Sequence, residues 1–138
     1  MPQKIKTTRL PWQTVIKRNG INDAFYNKTR WRAMSIYYRQ QNPTCEACNK
    51  RGIARPVIQK GVRCGVTDHI IRIEDGGSKY DERNHMSMCS YQEGSCHDRK
   101  RALEARTSIL IPFVLNEQGE KIPADRNDII NLLNKDYG

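Results

Sequence analysis

The chain has 138 residues, 37% hydrophobic and 28% charged, which suits one domain with a modest core and an appended tail. No apolar run approaches the ~20 residues needed to span a bilayer, and the basic start MPQKIKTTRL lacks the apolar stretch of a secretory signal. A reducing cytoplasm is therefore expected, where the five cysteines favour metal over disulfides.

The formal charge of +9 is unevenly placed. Residues 1–63 carry 14 Lys/Arg against Asp23 and Glu46, whereas 64–106 and 107–138 sum to −1 and −2. A basic half beside a balanced half points to a polyanion surface next to a site that needs its own carboxylates. Nucleic acid is favoured over membrane, because the basic residues do not lie on a strongly apolar amphipathic helix. A solvated basic face without a ligand would carry the same charge.

Residues 1–26, with Pro2, Pro11 and Gly20 and no sustained period, read as a basic N-terminal arm. NKTRWRAMSIYYRQQN then places Trp31, Met34 and Tyr38 at helical spacing, and Pro43 stops the helix. Its aromatic stripe reads as core, and Arg30, Arg32 and Arg39 as phosphate contacts. PTCEACNKRG is a tight turn, IARPVIQKG a Pro-interrupted edge strand and GVTDHIIRI a strand. EDGGSKYDERN is a loop, HMSMC a short strand, and SCHDRKRALEARTS a helix capped by Ser95. LIPFVL is expected to pack on the domain, and Ile129, Ile130, Leu132 and Leu133 form an apolar helical face. The organisation expected is arm 1–26, domain 27–106 and helical extension 107–138.

Cys45 and Cys48 are spaced so that two thiolates in one turn can grip a single metal. Cys89 and Cys96, with six residues between them, supply a second pair, and together the four suit one structural Zn²⁺. Cys64 is either a buried bystander, the preferred reading, or a replacement for one ligand. Redox use of Cys45-Glu-Ala-Cys48 lacks its usual βαβ context.

Between these cysteines the order DH…GG…N…C…CH..K, in TDHIIRIEDGGSKYDERNHMSMCSYQEGSCHDRK, resembles the HNH endonuclease family over about residues 45–101. The likeness is greatest to the small stand-alone nucleases of bacteriophages. It implies an α+β protein with a small ββα-metal (His-Me finger) core stapled by the four-cysteine zinc site, with flanking helices and the basic arm. Asp68 and His97 would hold a catalytic divalent cation. His69 would be the general base, and Asn84 would hold the loop and orient the histidine. Mg²⁺ or Mn²⁺ suits this mixed O/N site, with Ni²⁺, Co²⁺ or Zn²⁺ as further fits. Arg99, Lys100 and Arg101 would meet phosphate. His85 departs from the family, which has an apolar residue after the asparagine, and the Cys89–Cys96 spacing is longer than usual. His97 could instead complete a zinc site of three cysteines and one histidine.

The activity expected is metal-dependent hydrolysis of DNA phosphodiester bonds, nicking or cleaving double-stranded DNA with low sequence specificity. A monomer is expected, in phage DNA processing or packaging inside an infected bacterial host, alongside phage packaging proteins. The alternative is a non-catalytic zinc module that binds nucleic acid. Because neighbours on an extended strand point to opposite faces, a shared site for Asp68 and His69 requires the strand to end or bulge there.

Overall fold

The computed structural model describes residues 25–26, 28–106 and 111–135, and the chain divides into two compact units, Met1–Ala33 and Met34–Gly138. Of the arm expected over 1–26, all but Phe25 and Tyr26 lies outside the described residues. In the first unit Phe25, Tyr26 and Trp31 cluster, with ring centroids 5.3 to 6.0 Å apart.

The division falls inside the first described helix, α1 (Thr29–Gln41). This stretch contains neither glycine nor proline, and the helix stops two residues before Pro43, as a ring without an N–H predicts. The cysteine turn winds into a short helix, α2 (Glu46–Lys50). The expected edge strand shrinks to β1 (Ile58–Gln59), paired with β2 (Val62–Arg63). Pro56 makes only an isolated bridge to Thr44.

β3 (Gly65–His69) and β4 (His85–Cys89) form an antiparallel hairpin in unbroken register, from Gly65 opposite Cys89 to His69 opposite His85. Every β4 residue is buried, so this two-stranded sheet is covered on both faces. Two 3-10 turns, Ile73–Asp75 and Glu82–Asn84, punctuate the loop between the strands. Gly77 is required in that loop by close approach: a Cβ there would lie 1.9 Å from the Ile71 carbonyl oxygen.

α3 (Cys96–Arg106) begins where the Ser95 hydroxyl accepts from the Asp98 amide at 3.2 Å, the cap read from the sequence. β5 (Phe113–Leu115) and β6 (Lys121–Pro123) make a third small ladder, and α4 (Asn127–Leu133) packs on α2 and α3. Ile129, Ile130 and Leu133 join Met86, Met88, Val57, Ile70 and the buried cysteines in one core. The expectation that LIPFVL packs inward is corrected in its second half. Ile111 touches the core, but Phe113, Val114 and Leu115 are exposed, because β5 pairs only with β6 and no layer among the described residues covers it. The architecture is thus α+β, with helices around small antiparallel sheets. Among the described residues, no helix is long and apolar enough to cross a membrane.

Candidate metal centres

The first centre is built by α2, the end of β4 and the start of α3. The sulfurs of Cys45, Cys48, Cys89 and Cys96 all lie within 4.8 Å of one another, and all four residues are buried. Cys48 Sγ is 3.9 Å from Cys89 Sγ and 3.7 Å from Cys96 Sγ. Four sulfurs at about 2.3 Å from a tetrahedral ion would be about 3.8 Å apart, whereas a disulfide would hold two of them at about 2.05 Å. The cysteines are free thiols in a metal-sized arrangement. The Arg51 guanidinium donates to Cys48 Sγ and the Cys96 amide to Cys89 Sγ, both at 3.3 Å, the outer contacts that thiolates use.

Hydrogen bonds from Cys45 and Cys96 pull the Cys89 thiol down to about 3, while contacts with Cys45 and Cys89 push Cys96 up. Such a group can hold a structural metal such as zinc. Cys64 stands outside it, its thiol donating to the Pro56 carbonyl at 3.4 Å, and His97 is not a member.

The second cluster lies along the β3–β4 hairpin. Of the two irregularities expected at Asp68-His69, the ladder shows no bulge but β3 does end at His69, and within the ladder the pleat sends the two side chains to opposite faces. Asp68 meets α3: its Oδ1 is 3.8 Å from His97 Nε2 and its Oδ2 is 2.8 Å from Lys100 Nζ. His97 Nδ1 lies 3.5 Å from the Ser90 hydroxyl. Burial lowers the His97 pKa, against the pull of Asp68. One carboxylate oxygen and one imidazole nitrogen are thus brought together from β3 and α3, whereas the metal-capable group of three or more ligands among the described residues is the four-cysteine one.

His69 shares the other face with His85, with ring centroids 5.2 Å apart and planes at 83°. Both rings donate Nε2–H to one oxygen, the Lys79 carbonyl, at 2.9 and 3.0 Å. That bond fixes the tautomer of His69 and makes Nδ1 its basic atom. Burial lowers the His69 pKa to about 4 and lowers that of His85, so both are neutral at pH 7.

Asn84 is fully buried. Its Oδ1 accepts from the Ile71 amide at 2.8 Å, and its Nδ2 donates to the carbonyls of Ile71 (3.0 Å) and Ser78 (2.9 Å). It clamps both ends of the loop whose next carbonyl, that of Lys79, receives the two imidazoles.

Two residues read as phosphate contacts are interior instead. Arg39 is buried and donates to the Ser35 and Thr67 hydroxyls. Lys100, 1% exposed, donates to the His69 carbonyl at 3.0 Å and pairs with Glu104 at 2.7 Å as well as with Asp68. In both cases a long aliphatic stem reaches an inward polar cluster. Arg30, Arg32 and Arg101 are exposed and Arg99 is half-buried. Glu104, Ser90 and the Lys79 carbonyl escaped the sequence reading. Only Glu104 had a signal, the i, i+4 pair with Lys100 on a predicted helix. Compared with known proteins, the chain matches no family model, no curated protein and no solved structure.

Proposed function

We propose that this chain is a metal-dependent endonuclease of the HNH type, built on a ββα-metal core, that hydrolyses DNA phosphodiester bonds with low sequence specificity. The observation that carries the reading is the approach of Asp68 Oδ1 to His97 Nε2 at 3.8 Å, across 29 positions of sequence and beside a loop held by Asn84. Bonds of about 2.1 Å from one cation to each atom fit that separation after a small closure. These residues would hold Mg²⁺ or Mn²⁺, which supplies Lewis-acid stabilisation of the phosphate. The four-cysteine group would hold structural zinc.

Within the chain's own chemistry, His69 takes a proton from water at Nδ1, while Lys79 holds the ring by Nε2. His69 is the last residue of β3 and is buried, so on this reading substrate would have to lie across the end of the ladder to meet both faces. The excess of Lys/Arg over residues 1–63 favours a polyanionic substrate.

The second reading, a zinc-stapled module that binds nucleic acid without cutting it, draws on the opposed directions of Asp68 and His69. Supercoiled plasmid incubated with Mg²⁺, Mn²⁺ or EDTA separates the two. The nuclease reading expects metal-dependent nicking by the wild type, lost in His69→Ala and His97→Ala with DNA binding kept. Binding without cutting under any of these metals would establish the second reading, and full activity in His69→Ala would remove that residue as the base.

A further inference from the structure

Lys100 is the least expected residue of the second cluster. Its ammonium donates hydrogen bonds to Glu104 Oε2 at 2.7 Å and the His69 carbonyl at 3.0 Å, and forms an ion pair with Asp68 Oδ2 at 2.8 Å. It therefore ties together the carboxylate of one member of the Asp-His pair and the backbone of the other. The three contacts come from two elements, β3 and α3 itself, so the ammonium is a bolt between strand and helix. Glu104 is largely buried too, and its carboxylate balances the charge of the lysine.

We propose that Lys100, balanced by Glu104, is a positioning residue for the divalent-cation site: it holds Asp68 Oδ2, presents Oδ1 alone towards His97, and weakens the site's hold on the cation. The inference rests on the metal-dependent reading above and deepens it.

The physical reason is twofold. An ammonium bound to one carboxylate oxygen denies that oxygen to a second cation, so Asp68 binds through one oxygen rather than two. Its positive charge also repels a dication arriving at the same carboxylate, and Glu104, which is ion-paired to the lysine, offsets this only in part. Geometry is gained and affinity is given up. The two effects carry opposite signs, which a purely structural role would not produce.

The test uses the full chain with its zinc bound. Free Mn²⁺ is followed by electron paramagnetic resonance during titration without DNA, and plasmid nicking is measured in parallel. The variants are Lys100→Met/Glu104→Gln, which removes both charges at similar volume and so leaves no carboxylate buried beside a missing partner, and His97→Ala. Zinc content and circular dichroism check folding.

The expected result is His97-dependent Mn²⁺ binding in the wild type that tightens by about ten-fold or more in the double variant, while nicking at saturating Mn²⁺ falls by about ten-fold or more. Unchanged or weaker Mn²⁺ binding in a folded double variant overturns the proposal and leaves the nuclease reading standing. Absence of any His97-dependent Mn²⁺ binding in the wild type and the double variant overturns both.

Discussion

Asn84 completes, with one amide, hydrogen bonds that a continuing strand would otherwise supply to Ile71 and Ser78. Asn84→Ala leaves those buried backbone groups unpaired, and each typically costs about 1–3 kcal/mol. A loss of roughly 3 kcal/mol is expected in urea unfolding, together with loss of His69 orientation; an unchanged midpoint would show that the loop holds itself.

His69 makes a pH prediction. Its folded pKa, lowered to about 4 by burial, lies below the value near 6.5 of the unfolded chain, so the unfolded state takes up the proton first. The stabilisation is present above about pH 6.5 and disappears as pH falls towards 4, by up to about 3 kcal/mol for this group. Burial of His85 and His97 acts in the same direction. Urea unfolding at neutral and acidic pH should show a smaller acid loss in His69→Gln than in wild type, and equal losses would contradict the assignment.

The hairpin and its loop behave as one element. Unbroken pairing from Gly65–Cys89 to His69–His85 decides which face each side chain takes, and the loop decides where the Lys79 carbonyl falls. Gly77 permits that path because a Cβ would collide with the Ile71 carbonyl. Gly77→Ala is expected to cost about 3 kcal/mol or more, since backbone rather than a flexible side chain must yield. A thermal midpoint within a degree or two of wild type would refute it. By contrast, Ser95→Ala removes one cap from α3 and should cost about 1 kcal/mol.

Across the second unit, α2, β4 and α3 meet at the four sulfurs, and α4 packs on two of these elements. A structural metal there contributes folding free energy directly, so a strong chelator is expected to unfold the hairpin–α3 junction and release one zinc per chain. Native-like circular dichroism after complete metal removal would contradict it. On the proposed nuclease reading, the excess charge of residues 1–63 predicts steep salt dependence of binding to DNA, a fall of roughly 100-fold or more between about 50 and 200 mM salt. Fluorescence anisotropy showing a flat response would remove nucleic acid as the partner.

The sequence by itself determined what local chemistry controls. Pro43 limits α1, Ser95 caps α3, and the spacing of Cys45 and Cys48 announces a metal-sized turn. Apolar periodicity placed Ile129, Ile130 and Leu133 in the core. Only the tertiary structure decided the direction of each polar side chain. The inward turn of Arg39 and Lys100, the shared Lys79 carbonyl and the separation of Asp68 from His69 depend on pleat, register and packing partners far away in sequence. A charge looks alike in sequence whether it faces solvent or a buried carboxylate. The exposure of Phe113–Leu115 has the same origin, because an apolar run is buried only where another layer covers it.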